Sequence, residues 1–282
     1  MNLQLSGYYT PKDAGIPYSG DIPELALEQA VIQYRNAEGT NHADTQRLPC
    51  KTVQNMINII KMKKRTMLSW SSGKDSAWTL QVLRQDPEIE LAGLFTVINE
   101  KYKRASMHAT RLELLRLQAE AAGLPLITIP LPDQSSLEEC DRMMGRFVAE
   151  CVKNGIACMA FGDLFLEDIR QYRENQLRGS GIQPLFPLWR LPTWKLALRM
   201  LDAGVEAYIS CVDLARLPSN FAGRRWSRSL LDELPAECDP CGENGEIHTI
   251  ITAGPMLNRR IPVRVGEIVE RNGFAYADLI PL

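Results

Sequence analysis

The sequence lacks the features that mark membrane, secreted and nucleic-acid-binding proteins. No apolar run approaches the ~20 residues that span a bilayer, and the first residues have neither the basic flank nor the apolar core of a signal peptide. The 32 Lys and Arg residues are balanced by 34 Asp and Glu residues, so no basic excess indicates nucleic-acid binding. Seven cysteines in 282 residues do not make a disulfide framework. We therefore expect a cytoplasmic globular protein that binds no membrane and no nucleic acid.

The composition along the chain predicts three segments. Residues 1–61 show little periodicity and no chemistry, so we expect an N-terminal extension that is partly disordered; the alternative is an arm that binds a partner. Residues 62–179 alternate strand and helix patterns and are expected to form the first domain. Pro and Gly cluster just after residue 179, which predicts a linker and a second domain over 180–282.

Four short apolar strands alternate with helices from Met67 to Phe161. This alternation predicts an α/β fold with a doubly wound parallel sheet. The C-terminal part reads as a smaller α+β domain, in which Asn272-Gly273 predicts a type I′ hairpin turn. Parallel sheets of this kind bind ligands beyond the carboxyl ends of their strands. The residues expected at that edge are the loop 71–76, Val97, Asn99, Gly162 and Asp163.

The loop Ser71-Ser72-Gly73-Lys74-Asp75-Ser76 joins an apolar strand to an amphipathic helix. Small side chains allow a close approach to an anion, and the first N–H groups of a helix point at it. Asp75 follows Lys74 where a Walker A loop has Ser or Thr, so the loop is not of that type. The pattern resembles the PP-loop of ATP pyrophosphatases, which split ATP between its α and β phosphates. The simpler alternative is an ordinary Gly-containing turn between a strand and a helix.

A second polar cluster occupies residues 239–249, directly before a predicted strand. Its acids and His248 would bind an amine, position a carboxylate or act as a general base, unless the segment is a solvated turn. Glu246 and His248 are two residues apart, so both are expected on one side of the strand. Cys238 and Cys241 also suggest zinc or redox chemistry, although a structural zinc site needs four ligands.

Together the two clusters resemble the diphthine–ammonia ligase family of PP-loop proteins, within the adenine nucleotide α-hydrolase-like superfamily. The resemblance covers Met67 to Leu282 and none of residues 1–61. The family usually has Gly where this chain has Ser72. Ser is small enough for the turn, so we expect ATP binding to survive, provided that the position needs no positive φ. The motifs that carry the resemblance are 71–76, Met107-His108-Ala109, Phe161-Gly162-Asp163, Asp168-Ile169-Arg170, 184–189 and 239–249.

The resemblance implies an ATP-dependent ligase that adenylates a carboxylate, releases pyrophosphate and then transfers ammonia to form an amide. ATP and Mg²⁺ are the implied cofactors, and the implied partners are ammonia and a carboxylate-bearing substrate, either a small molecule or a modified protein side chain. Asp75 is the first candidate for a magnesium ligand, and Asp163 is the second. The implied catalytic residues are Lys74, Asp75, Glu243, Glu246 and His248. The implied nucleotide contacts are Ser71, Ser72, Gly73, Lys74, Asp75, Ser76, Val97, Asn99, His108, Gly162 and Asp163.

Two alternatives remain open at this point. A PP-loop enzyme that modifies tRNA would share the phosphate loop, although the balanced charge argues against it. A module that only binds adenine nucleotide would share the fold, although it would not need the acidic cluster at 239–249.

Overall fold

The computed structural model of the protein describes residues 63–105, 109–133 and 135–282. Residues 64–282 form one compact unit that contains two sheets. The predictions for residues 1–61 and for His108 lie outside the described residues. The strands are β1 Lys64–Ser69, β2 Ile89–Asn99, β3 Arg104–Ala105, β4 Leu126–Leu131, β5 Cys158–Ala160, β6 Gln183–Leu185, β7 Glu206–Asp213, β8 Arg225–Trp226, β9 Ile247–Ala253, β10 Val263–Arg271 and β11 Phe274–Pro281. The helices are α1 Lys74–Gln85, α2 Leu112–Ala122, α3 Leu137–Lys153, α4 Glu167–Leu177, α5 Thr193–Asp202 and α6 Arg228–Glu233, with a 3₁₀ turn at Ser219–Phe221.

The first sheet is mostly parallel, as the alternating pattern predicted. Its parallel strands lie in the order β4, β2, β1, β5, β6, and the short β3 pairs antiparallel with the end of β2. After β1, the chain adds β2 and then β4 on one side of β1. It then crosses over and adds β5 and β6 on the other side. The strand order therefore reverses between β1 and β5, and the carboxyl ends of these two strands form a ligand crevice in such folds.

Local sequence signals set the ends of several helices. Ser136 and Glu139 form the predicted capping box at the start of α3. Gly123 ends α2 in the left-handed conformation with φ of 66°. Gly73 is the N-cap residue of α1, so this helix begins at Lys74, directly after the small-residue loop.

The segment after residue 179 contains an edge strand of the first sheet. The strand β6 pairs in parallel with β5, with Met159 opposite Pro184. The parallel sheet thus continues past residue 180, into the segment that its Pro and Gly content predicted to be a linker. Pro184 is compatible with this position because an edge strand leaves some N–H groups unpaired. The division into two domains at 179 stays a prediction.

The second sheet is antiparallel and is built around β7. One side of β7 pairs with β9, and the other side pairs first with β8 and then with β11, which continues into β10. The β10–β11 turn confirms the type I′ prediction, because Asn272 and Gly273 have φ of 50° and 81°. The architecture is therefore a parallel-sheet α/β fold with a second, smaller antiparallel sheet.

The strand β9 connects the second sheet to the phosphate loop. The N–H of Ile251 donates to the carbonyl of Ser72 (2.9 Å), and the N–H of Lys74 donates to the Thr249 hydroxyl (3.2 Å). The buried amide of Gln118 in α2 donates to the carbonyls of both Ser72 and Ile251. Within the described ranges, no helix is both long and apolar enough to cross a bilayer.

Candidate functional site

A cavity of about 220 Å³ opens at the carboxyl ends of β1 and β5, where the strand order reverses. Four segments line it: the loop 69–76, residues 161–163 after β5, the helix α4 with the residue before it, and residues 241–243 and 247–249. Eight of the predicted site residues line this cavity: Ser71, Lys74, Asp75, Ser76, Gly162, Asp163, Glu243 and His248.

The helix α1 presents its N-terminus at the cavity. The hydroxyls of Ser71 and Ser76 lie 3.0 Å apart at its start, and both residues line the cavity. A Cβ atom at Gly162 would lie 3.0 Å from the backbone nitrogen of Ser76. This distance is too short for a side chain without displacement of the backbone. Gly162 therefore lets the end of β5 approach the first turn of α1, so that both segments line one cavity.

Ser72 corrects the expectation that this position needs no positive φ. Its φ is 75°, in the left-handed region that glycine adopts at low cost. Its side chain is buried against Thr110, and the two hydroxyls share a hydrogen bond of 2.6 Å. Ser72 and Gly73 were both predicted to contact nucleotide. Neither lines the cavity.

Lys74 and Asp75 form a buried ion pair at the start of α1. The Lys74 ammonium is 2.9 Å from Asp75 Oδ2, donates to the Cys241 carbonyl, and lies 5.4 Å from the ring centre of Trp226. Burial acts to lower the pKa of Lys74, but the Asp75 carboxylate outweighs it and raises the pKa. Burial also raises the pKa of Asp75. The ammonium is therefore charged, and its position is fixed by protein groups.

The carboxyls of Asp75 and Asp163 have the character of a cation site. Asp75 Oδ1 and Asp163 Oδ2 are buried, and neither has a hydrogen-bond partner among the described residues. Burial and the neighbouring Asp75 charge raise the pKa of Asp163. In the described ranges, no group of three or more His, Cys, Asp or Glu residues is arranged to hold a metal ion. Two carboxylates suit Mg²⁺ when substrate phosphates and water complete its coordination.

Glu243 attaches the loop 239–249 to the segment that follows β5. Its Oε1 accepts hydrogen bonds from the N–H groups of Leu164 (2.6 Å) and Phe165 (3.2 Å). Burial raises the pKa of Glu243 to about 7, and the charges of Asp75 and Asp163 add to the rise. Glu243 thus has a positioning contact and a pKa suited to proton transfer near neutral pH.

Glu246 and His248 do not share the cavity, contrary to the prediction. Glu246 lies directly before β9, which begins at Ile247, and it does not line the cavity. Glu246 is fully buried, and its Oε1 accepts from the backbone N–H of Asp239 and the side chain of Asn244. This contact places Glu246 in the support of the loop. His248 lines the cavity, and burial lowers its pKa to about 4, so its imidazole is neutral at pH 7.

Cys238 lies directly before the loop 239–249, and Cys241 lies near its start. Both thiols are free and buried. Burial raises the pKa of each thiol, which disfavours the thiolate that zinc binding or disulfide exchange requires. The Cys241 thiol lies 3.5 Å from the Thr193 carbonyl.

Val97 and Asn99 lie outside the cavity, although the sheet edge predicted them there. Val97 packs in the apolar cluster around Phe95. The Asn99 side chain accepts from the N–H groups of Lys101 and Tyr102, which fixes the turn after β2. Both belong to the strand next to β1 on the side away from β5, whereas the cavity lies between β1 and β5.

Arg173 lines the cavity and was not predicted. It projects from α4 on the same face as Leu166 and Ile169, which also line the cavity. Their spacing of three and four residues is the helical repeat that brings side chains to one face. This periodicity, directly after Gly162-Asp163, was the available signal in the sequence. It marks one face of a helix that follows a strand end without showing which way the face points.

Comparison with known proteins supports the resemblance. The family model described as diphthamide synthase N-terminal domain matches residues 62–184, and the model described as diphthamide synthase C-terminal domain matches residues 192–278. A protein of Schizosaccharomyces pombe (strain 972 / ATCC 24843) named diphthine–ammonia ligase is 24% identical over 221 residues, an alignment that covers 72% of this chain. The alignment covers only 36% of that relative's length. The models of the N-terminal and C-terminal domains match in that order, and together they cover well over half of the sequence. The chain belongs to the diphthamide synthase family.

Proposed function

We propose that the protein is an ATP-dependent ligase that couples ammonia to a carboxylate and releases AMP and pyrophosphate. The observation that carries the proposal is a single cavity that combines a helix N-terminus, a fixed lysine and three carboxyls, Asp75, Asp163 and Glu243. A helix N-terminus and a lysine suit phosphate, and carboxyls suit a divalent cation or a proton transfer. The S. pombe relative is named diphthine–ammonia ligase, which agrees with this chemistry.

In the first half-reaction a carboxylate oxygen of the substrate bonds to the α phosphorus of ATP. The bond from that phosphorus to the bridging oxygen breaks, and its electron pair leaves with pyrophosphate. The N–H groups of Asp75 and Ser76 and the hydroxyls of Ser71 and Ser76 hold the departing pyrophosphate. Lys74 contributes its charge from a position fixed by Asp75 and the Cys241 carbonyl.

Asp75 and Asp163 would hold Mg²⁺ through Asp75 Oδ1 and Asp163 Oδ2. The ion would neutralise phosphate charge while the bond to pyrophosphate breaks. Burial is the main cause of the raised pKa of both carboxyls, and a neighbouring carboxylate adds to the rise in each case. A bound cation would favour the ionised form of both.

In the second half-reaction ammonia attacks the acyl carbon, AMP leaves, and one proton must be removed to give the neutral amide. Glu243 is the proposed proton acceptor, because its pKa of about 7 is matched to this task. His248 is neutral and lines the same cavity, so it is the proposed partner in orienting ammonia. Glu246 supports the loop that carries both.

The test is formation of AMP and pyrophosphate from ATP, Mg²⁺, ammonium and a panel of carboxylates that includes diphthine. We expect Lys74→Ala and Asp75→Asn to lower the rate of AMP formation at least ~100-fold. Lys74→Ala removes a positive charge next to the phosphates, and Asp75→Asn weakens the proposed cation site. Lys153→Ala is the matched control, since Lys153 is an exposed residue of α3.

The control is expected to keep the wild-type rate. A wild-type rate of AMP formation in Lys74→Ala or Asp75→Asn, with an unchanged melting temperature, would contradict the proposal. Release of ADP and phosphate by the wild-type protein would contradict it as well.

A further inference from the structure

The guanidinium of Arg173 is a cation on the cavity wall with an unused donor. Its Nε is buried and has no hydrogen-bond partner among the described residues. The nearest carboxylate oxygen, Asp163 Oδ2, is 3.9 Å from this nitrogen, which is too long for a hydrogen bond. A buried donor without a partner costs free energy, so the position favours a ligand that supplies an acceptor.

Aromatic rings fix the position of this guanidinium. Its central carbon lies 5.2 Å from the ring centre of Phe161, at the end of β5, and 5.9 Å from that of Tyr172. Phe161 itself lines the cavity. A guanidinium held in this way loses little side-chain freedom when it binds an anion. Arg173 is thus pre-positioned beside the site.

Among the described residues, the cations that line the cavity are Lys74 and Arg173, and Arg173 is the more available of them. The Lys74 ammonium already donates to Asp75 and to the Cys241 carbonyl. The Arg173 guanidinium and the Asp163 carboxylate are 3.9 Å apart, so Arg173 faces the part of the cavity next to Asp163.

We propose that Arg173 binds the α phosphate of the nucleotide, next to the pyrophosphate subsite at 71–76. The inference rests on the proposed function, in which that subsite takes the β and γ phosphates. The α phosphate is then the next anionic group along the ligand, on the Asp163 side. Arg173 binds its oxygens through the free Nε–H and the adjacent guanidinium donors, and holds them while the carboxylate attacks.

The experiment is a calorimetric titration of the full chain with AMP, ATP and inorganic pyrophosphate, in the wild type and in Arg173→Met. Methionine keeps an unbranched side chain over Phe161 and removes the charge. We expect the Kd values of AMP and ATP to rise about 10- to 100-fold, the usual loss for a hydrogen bond to a charged group. The Kd of pyrophosphate should change less than about 2-fold, since the subsite at 71–76 is intact.

Arg170→Met is the matched control. Arg170 lies on the same helix and stacks on Phe186 and Trp189, but its Nε is bonded to Glu174 at 2.8 Å and it does not line the cavity. We expect its nucleotide affinities to equal those of the wild type. Melting temperatures of both variants separate loss of binding from loss of fold.

Two results would overturn the assignment while leaving the proposed function intact. They are an unchanged AMP affinity in Arg173→Met and an equal loss of affinity for pyrophosphate and AMP. If the AMP affinity is unchanged and the KM for the carboxylate rises, Arg173 belongs to the carboxylate site instead. If titration of ATP into the wild-type protein gives no more heat than titration into buffer, the proposed function and this assignment are both wrong.

Discussion

Ser72 shows how a single residue of the phosphate loop is held by distant parts of the chain. A φ of 75° is unfavourable for a residue with a Cβ atom, by roughly 1 kcal/mol. The hydrogen bonds of Ser72 with Thr110, Gln118 and Ile251 maintain this conformation. The loop therefore has a defined shape before any ligand binds.

The strained φ and the hydrogen bonds of Ser72 predict which of two variants is more stable in urea unfolding. Ser72→Ala removes the hydroxyl and keeps the strained backbone, and it leaves Thr110 without this buried partner. Ser72→Gly removes the same hydroxyl but also relieves the strain. We expect the free energy of unfolding of Ser72→Gly to exceed that of Ser72→Ala by about 1 kcal/mol. Equal stability of the two variants would show that the positive φ carries no cost here.

In the loop 239–249, position 242 has no room for a side chain. This residue has a φ of 71°, and a Cβ atom there would lie 2.5 Å from the Ile247 carbonyl oxygen. The loop folds back closely enough for Glu243 to bond the N–H groups of Leu164 and Phe165. Glu243 consequently has two tasks, which are to hold the segment that carries Asp163 and to accept a proton.

Two substitutions at Glu243 separate these tasks. Glu243→Gln keeps an oxygen for both N–H groups and loses the base, so ATP affinity should stay within about 3-fold while the amide yield falls at least ~100-fold. Glu243→Ala loses both, and ATP affinity should fall as well because Asp163 is released. The measurements are ATP affinity by calorimetry and amide yield by mass spectrometry. Unchanged amide yield in Glu243→Gln would exclude the base assignment.

The pH dependence follows from the same residue. A base must be unprotonated, so the wild-type rate of amide formation should rise as the pH increases through about 7. The raised pKa also means that the native protein keeps a proton that the unfolded chain releases. The contribution of Glu243 to stability is therefore lost as the pH rises from its unfolded pKa through about 7. A rate profile that is flat between pH 6 and 8 would argue against Glu243, with Glu243→Gln as the reference profile.

At the scale of the whole molecule, the two sheets jointly build the site. The first sheet supplies α1 and the segment after β5, and the second supplies Thr249, His248 and the loop before β9. Asp278 of β11 adds a second connection, because it accepts from Arg104 and Arg111 on either side of residues 106–108. Those two arginines outweigh burial and lower the pKa of Asp278 to about 2.

The parts of the fold that the sequence predicted are those that have a signal in a short stretch of sequence. The parallel sheet, the capping box at Ser136 and the turn at Asn272 each have a local signal, and the structure confirms all three. Arg173 was missed because only the packing of α4 against α3 and β6 determines which face meets the cavity. Glu246 was misplaced because its spacing from His248 does not show that its side chain accepts a hydrogen bond from the distant backbone N–H of Asp239.

The central claim is that the cavity between the ends of β1 and β5 takes the triphosphate of ATP. The most direct measurement is a crystal structure of the full chain with Mg²⁺ and α,β-methylene-ATP, which cannot be split at the α–β bond. The account predicts the β and γ phosphates at the N-terminus of α1, the α phosphate at Arg173, and the cation on Asp75 and Asp163. A triphosphate bound elsewhere on the chain, with this cavity filled by water alone, would contradict it.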